Sequence, residues 1–363
     1  MAGKKEVEKN TKRKGFNLEK DLIISILLVF LLILITVLYF LVVTGKNNSE
    51  KSLTCGDGTL LNKCSIRKPY FCSGGILVEK ASLCGCLEIL TKKGDSCISK
   101  YQTNPKNINL KYILRGKEKN INFVVYKGMV EHISNLSKTI YYIGNKTPSR
   151  ADFKLRNINE PEQRELLLPL VTKIQNIASD KEEQMRIAVS IVQNIPFGSS
   201  NKSVKFLSNE INYSRYSYEV LYDMQGVCGE KSELLVFLLR ELGYGIVFFY
   251  HQEENHESVG IKCPEEYSLR KSGYCFVETT GSSIITDDEI EYVGGVKLLS
   301  QPEIFKISEG ESLEEDLYEY KDAKKWIEIR NDIKENRELD VLKYFRWKSL
   351  KEKYGLVDKY NIE

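Results

Sequence analysis

The sequence predicts an α+β domain that is preceded by a transmembrane helix and a small disulfide-rich module. Three observations support this class: an uncharged apolar run covers residues 22–43, six cysteines crowd into residues 55–97, and an apolar helix beginning at Cys228 precedes three β-prone runs. Separate groups of helices and strands are typical of α+β domains. The resulting segments are a basic tail (1–21), the transmembrane helix (22–43), the cysteine-rich module (55–97), the main domain (105–310) and a charged helical segment (311–363).

The apolar run over residues 22–43 predicts an uncleaved membrane anchor. At about 1.5 Å per residue a helix of this length spans roughly 33 Å, enough to cross the hydrocarbon layer of a bilayer. Lys and Arg are concentrated before the run, which places residues 1–21 in the cytoplasm. No small-residue cleavage site follows, so a signal peptide is disfavoured. We therefore expect the lipid bilayer of the cell membrane as a partner and an extracytoplasmic domain after the anchor.

Composition argues against two classes of function. The chain has 53 basic and 50 acidic residues, a net charge of +3, and so lacks the basic excess that binds a phosphate backbone. Nucleic acid is therefore not an expected partner. The three histidines, His132, His251 and His256, leave little room for a metal site built on imidazole. We expect no metal and no cofactor.

The nine cysteines divide into groups of six, two and one. A stretch of about 45 residues cannot bury enough apolar surface to fold unaided, so its six cysteines predict up to three disulfides in an oxidising compartment. Their connectivity is open, and a zinc module is the alternative, although the paired C-x-x-C spacing of zinc ribbons is missing. The six are Cys55, Cys64, Cys72, Cys84, Cys86 and Cys97.

The second group, Cys263 and Cys275, flanks a polar loop and is expected to form a structural bridge. Cys228 is then the one cysteine without an obvious partner, and an unpaired cysteine in an oxidising compartment is often reactive. It stands in the run Gly226-Val-Cys-Gly-Glu230, which opens an apolar helix that stops at Gly243.

The remaining elements of the main domain follow from periodicity and capping residues. A proline at position 161 and a capping aspartate at position 180 each predict a helix start, with a kink at Pro169. Trp326 and Phe345 belong to an apolar stripe that predicts a C-terminal helix, packed on its own domain or docked on a partner. Alternating or β-branched runs predict strands over residues 110–114, 121–126, 139–143, 246–250, 258–261 and 274–279.

Cys228, His256 and Glu278 are the candidate catalytic residues. A thiol is nucleophilic as a thiolate, which a helix N-terminus and a nearby imidazole favour. His256 precedes a strand that follows the cysteine helix, and Glu278 ends the next strand, within reach of the imidazole. One tension remains: if Cys263 faced Cys275, Glu278 would face Gly260, about 13 Å along the strand from His256. A bulge, or a disulfide within the hairpin loop, would relieve it.

The motifs around these residues resemble a known family. The segment Tyr218-Glu-Val-Leu221 followed by GVCGEKSELLVFLLRELGYG is similar to the signature of the transglutaminase-like superfamily of papain-like cysteine enzymes, as found in archaeal membrane-bound members. Asn255-His256-Glu-Ser-Val-Gly-Ile261 resembles its histidine strand, and Val277-Glu278-Thr-Thr280 resembles its acidic strand. The resemblance covers residues 105–310, and the module at 55–97 is similar to one that recurs on archaeal surface proteins. Two departures are Glu278 in place of the usual aspartate and Ser258 in place of a frequent aromatic residue.

The resemblance implies a papain-like fold and acyl transfer by a Cys228-His256-Glu278 triad on a peptide or carboxamide bond. The backbone N–H of Cys228 is a candidate oxyanion donor, and Gln225 is a second by proximity. A protease or amidase acting on proteins or peptides of the cell envelope is favoured over a cross-linking acyltransferase. The alternative is a catalytically inactive surface module that binds protein or glycan.

Overall fold

The computed structural model describes residues 26–38, 54–145, 147–200, 202–206, 209–289, 291–292, 295–336 and 338–357. These belong to two units, one before and one after residue 52, which we describe separately. Among the described residues the chain is a mixed α and β structure with ten α-helices and six small sheets.

The first unit contains one described helix, α1, over residues 26–38. No helix within the described residues is long and apolar enough to cross a membrane. The predicted fold class, which included a transmembrane helix over residues 22–43, is therefore wrong as stated. Residues 22–25 and 39–43 of that prediction lie outside the described residues.

The second unit begins with the cysteine-rich module, which is held by three disulfides. They join Cys55 to Cys72, Cys64 to Cys84, and Cys86 to Cys97. The predicted disulfides are confirmed, and together with a fourth in the main domain they fit an oxidising, extracellular setting. The elements of the module are β1 (Tyr70–Ser73), β2 (Ile76–Glu79), α2 (Ala81–Cys84), β3 (Thr91–Lys93) and β4 (Ser96–Ile98).

The module is attached to the main domain by directional hydrogen bonds. The backbone N–H of Leu77 donates to Asn176 Oδ1 at 2.7 Å, and Asn176 Nδ2 donates to the Leu77 carbonyl at 2.9 Å. The Arg67 guanidinium donates to Gln175 Oε1 at 3.0 Å and to the carbonyl of Glu241. Because these contacts reach two helices of the main domain, the module and the main domain form one unit.

The main domain and the C-terminal segment contain the remaining helices and strands. They are β5 (Pro105–Leu114), β6 (Lys117–Tyr126), α3 (Lys127–Asn135), α4 (Arg150–Ile158), α5 (Pro161–Ile177), α6 (Lys181–Gln193), β7 (Ser203–Phe206), β8 (Asn209–Asn212), α7 (Ser217–Asp223), α8 (Cys228–Glu241), β9 (Ile246–His251), β10 (His256–Lys262), β11 (Tyr274–Val277), β12 (Glu291–Tyr292), β13 (Val296–Lys297), β14 (Glu303–Ser308), α9 (Tyr318–Asn336) and α10 (Val341–Tyr354).

Most predicted element starts agree with the structure, and one strand is wrong. The Asp180 carboxylate accepts from the N–H of Glu183 and caps α6, while Pro161 opens α5 and Pro169 lies inside it. The strand expected over residues 139–143 has no regular structure. There Tyr141 is 91% exposed, so the run lacks the partner strand and packed face that a β-prone sequence needs.

Helix α8 lies at the centre of the main domain. It packs on β9 and β10 of a four-stranded antiparallel sheet with the order β11-β10-β9-β14, and on α6 and α7 from the other side. Its apolar side chains are fully buried because both faces are covered. This packing brings the N-terminus of α8, and with it Cys228, to the start of β10.

The register of β10 and β11 explains how Glu278 reaches His256 although Cys263 and Cys275 are joined. Ile261, not Cys263, lies opposite Cys275, and Val259 lies opposite Val277. Continued by one residue, this pairing sets Glu278 against Ser258, two residues from the first residue of β10. Alternate residues of a strand share a face, so Glu278 and His256 lie on the same face as diagonal neighbours. The disulfide still forms, because Cys263 and Cys275 have a Cα–Cα distance of 5.7 Å.

The C-terminal segment packs on its own domain through α9. Trp326 and Ile329 join Ile284 and Leu350 in a buried cluster. A buried ion pair between Arg186 Nε and Glu319 Oε1, at 2.6 Å, links α9 to α6. Ile333 and Leu339 of the predicted stripe pack against the same cluster, whereas Leu342 and Phe345 on α10 are exposed, at 79% and 62%.

We expect the double variant Cys263→Ser/Cys275→Ser to lose roughly 3 kcal/mol of unfolding free energy, because the bridge closes a short loop and restricts the unfolded chain. Urea denaturation followed by circular dichroism measures the change. Changing both cysteines avoids a stray thiol that could exchange with the other disulfides. An unaltered denaturation midpoint would show that the bridge contributes nothing to the stability of the β10–β11 hairpin.

Candidate active site

The first turn of α8 is fixed by a buried carboxylate. Glu230 Oε2 accepts from the backbone N–H of Val227 at 3.0 Å, and Glu230 also pairs with Arg215 Nη1 at 3.1 Å. The first N–H groups of a helix have no intrahelical acceptors, so this end carries partial positive charge. Cys228, the free cysteine of the described residues, is the first residue of α8 and is partly exposed.

The thiol opens into a cleft of about 810 Å³. Its walls are the N-terminal turn of α8, one face of α4, the segment 213–216 before α7, and the turn between β9 and β10. His256 lines the same cleft. A cavity of this size fits a stretch of peptide or a small carboxamide.

His256 lies between the thiol and a carboxylate. Its Nε2 is 2.8 Å from Glu278 Oε2, and its side chain also makes a hydrogen bond with Cys228. Since Nε2 faces Glu278, Nδ1 is the ring nitrogen that remains for the thiol. The structure therefore brings the three candidate residues together in the order thiol, imidazole, carboxylate, an arrangement suited to nucleophilic catalysis.

The Glu278 carboxylate is completely buried but well supplied with donors. Its Oε1 accepts from the N–H groups of Thr279 and Thr280 and from Thr280 Oγ1, each at 2.8 Å. Burial alone raises the pKa of Glu278, yet the charge of His256 and the hydrogen bonds from His256 and Thr280 outweigh burial and lower the pKa. The carboxylate is therefore ionised at neutral pH.

The same pair controls the imidazole. Burial lowers the pKa of His256, but the charge of Glu278 and the hydrogen bonds with Cys228 and Glu278 outweigh it and raise the pKa well above the ordinary value. His256 thus holds its proton at neutral pH. An imidazolium beside a thiol stabilises a thiolate and can later give its proton to a leaving group.

A layer of polar side chains that the sequence reasoning missed connects α8 to the strands. Lys231 Nζ donates to the carbonyls of Ile195 and Thr280, the latter at 3.2 Å, and Ser232 Oγ lies 3.1 Å from Thr279 Oγ1. Burial lowers the pKa of Lys231 to about 7, partly offset by the charge of Glu278. A signal was present, since a lysine three residues after Cys228 lies on the same side of the helix as the cysteine.

Helix α4, also missed, contributes a buried charge cluster next to Cys228. Lys154 Nζ lies 2.8 Å from Glu233 and 2.7 Å from Glu257, and it donates to the Gly229 carbonyl at 3.2 Å. A Cβ added at Gly229 would stand 2.5 Å from Glu257 Oε2, so a larger residue there would displace the Glu257 carboxylate that pairs with Lys154. The paired charges connect α4 and the N-terminal part of α8 to the start of β10.

The other residues considered in the sequence lie elsewhere. His251 Nδ1 is 3.2 Å from the carbonyl of Ser300, and His132 stacks on Tyr101 with ring centroids 4.0 Å apart. Neither histidine lines the cleft.

Gln225, considered as an oxyanion donor, also lies outside the cleft, with its side chain directed towards Gly198. Within the described residues no cluster of three or more His, Cys, Asp or Glu side chains could hold a metal ion.

We expect Glu278→Gln to lower the pKa of His256, because the variant keeps the shape of the side chain but removes the charge that opposes burial. The wild-type ring should stay protonated at pH 8, and the variant ring should be neutral there. Ring chemical shifts from NMR, in a chain with three histidines, measure this directly. His132, remote from the pair, serves as the internal control, and identical His256 titrations would refute the electrostatic account.

Comparisons with known proteins give no assignment. No protein-family model matches the chain, and no curated protein matches it. The site is therefore defined by its own geometry, the Cys228-His256-Glu278 arrangement in the cleft.

Proposed function

We propose that this chain is a transglutaminase-like cysteine enzyme that acts outside the cytoplasm on peptide or carboxamide bonds. The observation that carries the proposal is the position of His256, which contacts Cys228 on one side and a buried, ionised Glu278 on the other. The sequence motifs around the three residues support the same family. The disulfides support the compartment.

The first half-reaction forms an acyl-enzyme. The Cys228 thiolate attacks the carbonyl carbon, and the negative charge moves to the carbonyl oxygen, which the Cys228 N–H at the helix N-terminus is placed to stabilise. The imidazolium of His256 gives its proton to the leaving nitrogen as the C–N bond breaks. An amine or ammonia departs, and a thioester on Cys228 and a neutral His256 remain.

The second half-reaction releases the acyl group. Neutral His256 takes a proton from a water molecule, whose oxygen attacks the thioester carbonyl. The C–S bond breaks, the carboxylic acid leaves, and the thiolate–imidazolium pair is restored. With an amine in place of water the same steps would give a new amide, which is cross-linking. We favour hydrolysis, because transglutaminase-like domains outside the cross-linking enzymes are often proteases or amidases.

We expect iodoacetamide to alkylate Cys228 rapidly at pH 6 in the wild-type chain, and about tenfold or more slowly in His256→Ala, because the imidazolium stabilises the reacting thiolate. Mass spectrometry of the full chain with its disulfides intact measures the rate. His132→Ala is the matched control. Slow labelling that rises only near pH ~8.5, as for an ordinary thiol, would leave the catalytically inactive surface module as the explanation.

We expect water rather than an amine to be the acyl acceptor. Peptides that contain glutamine, incubated with the chain and an excess of methylamine, should yield acids by mass spectrometry in the wild type and no product in Cys228→Ala. A methylamide as the main product would assign the chain to cross-linking instead.

A further inference from the structure

The cleft contains a pair of cations that the proposed chemistry does not use. Lys138, in the segment after α3, and Arg156, on α4, both line the cleft together with Cys228. Their separate elements converge on Tyr216: Lys138 Nζ lies 4.6 Å from the centroid of that ring, and Arg156 hydrogen bonds with its side chain. The two positive charges therefore lie side by side.

Every acidic side chain that lines the cleft already has donors within the protein. Glu233 and Glu257 pair with Lys154, and Glu230 pairs with Arg215. Glu254 accepts from the N–H groups of Leu299 and Ser300. No carboxylate of the cleft is left to neutralise the Lys138–Arg156 pair.

The pair has only neutral hydrogen-bond and ring partners among the described residues. Lys138 Nζ donates to the carbonyl of Ile133 at 2.6 Å and lies over the rings of Tyr213 and Tyr216. Arg156 donates to the carbonyl of Thr139 at 3.0 Å and to Asn157 Oδ1 at 3.2 Å, and its Nε is buried without an acceptor. Within the described chain neither residue has a carboxylate within ion-pair distance, although both are partly withdrawn from water.

Two neighbouring cations repel each other, and partial burial strengthens that repulsion. Burial lowers the pKa of Lys138 to about 8; the charge of Glu219 opposes this effect, and the charges of Arg156 and Lys202 add to it. A carboxylate bound between them would relieve the repulsion and accept hydrogen bonds from both. The tyrosine rings would shield this ion pair from water.

We propose that the Lys138–Arg156 pair is a carboxylate-binding subsite, so that the cleft selects substrates with a carboxylate close to the bond attacked by Cys228. The inference rests on the proposed function, because it assigns a substrate class to the same cleft. The carboxylate can be the side chain of Asp or Glu or a free C-terminus, since both present the same two oxygens.

Two alkylating reagents of similar size test the subsite without a known substrate. Iodoacetate carries a carboxylate and iodoacetamide does not, so the ratio of their rates at Cys228 reports attraction of an anion into the cleft. We expect this ratio to fall about tenfold in Lys138→Met/Arg156→Gln, the size expected for removing two partly screened charges. His256 is present in both the wild type and the double variant, so its effect on the two rates cancels when their ratios are compared.

Matched variants separate charge from shape and from folding. The charge-conserving variant Lys138→Arg/Arg156→Lys should keep most of the wild-type ratio. Lys127→Met/Arg270→Gln removes the same two kinds of charge outside the cleft and should leave the ratio unchanged. If the Met/Gln variant does not fold by circular dichroism, the single variant Arg156→Gln replaces it, with an expected fall of about threefold.

Peptides then distinguish the source of the carboxylate. Three sets are compared as substrates of the wild-type chain: neutral peptides with an amidated C-terminus, the same peptides with one Glu added, and the neutral peptides with a free C-terminus. Preference for the second set assigns an acidic side chain, and preference for the third assigns a C-terminus. Equal turnover of all three sets, or an unchanged reagent ratio in the Met/Gln variant, would overturn the subsite while leaving the enzyme intact.

Failure of the proposed function has a different signature. In that case iodoacetamide itself would label the wild-type thiol slowly at pH 6, and no peptide of any set would be cleaved. That result would reject both the proposed enzyme activity and the carboxylate-binding subsite.

Discussion

The buried carboxylate of Glu278 is the constraint around which the site is built. An ionised carboxylate without water is costly unless it is paired and fully hydrogen bonded. Glu278 meets both conditions, with His256 at one oxygen and three donors at the other. These donors come from the chain directly after β11, and the histidine comes from the start of β10. The two strands must therefore keep one register for the charge to be tolerated.

That register also positions Cys228. Helix α8 packs on β9 and β10, and Ser232 and Lys231 attach it to the same Thr279-Thr280 segment that holds Glu278. The carboxylate, the imidazole and the helix N-terminus are thus fixed to one another by short polar contacts as well as by the core. Such a second layer restricts the orientation of reacting groups, which supports efficient catalysis.

Charge in the cleft follows a consistent pattern. The carboxylates near Cys228 have donors within the protein, and one residue, Lys154, pairs with both Glu233 and Glu257. The cations at Lys138 and Arg156 have only neutral partners among the described residues. In the proposed enzyme these two cations would attract an acidic group of the substrate to the cleft that holds Cys228.

The sequence reasoning identified the cysteine helix, the hairpin and the three candidate residues, because these depend on local features. A Gly-Val-Cys-Gly motif before an apolar run marks a helix start, and only three histidines had to be compared. The disulfide-rich module could also be predicted from the sequence, since six cysteines in a short polar stretch usually form disulfides. The transmembrane prediction relied on an uncharged apolar run and the basic residues before it, and no described helix is long and apolar enough to span a membrane.

By itself, then, the sequence determined which residue types were available and which elements would carry them. Tertiary structure decided what those residues face. The two-residue offset of Cys263 from Cys275, the burial of Lys231 and the convergence of α4 on the cleft depend on contacts between segments far apart in the chain. Periodicity and capping report only on near neighbours along the chain, so neither could reveal the partners of Glu278 or the unpaired charges of Lys138 and Arg156.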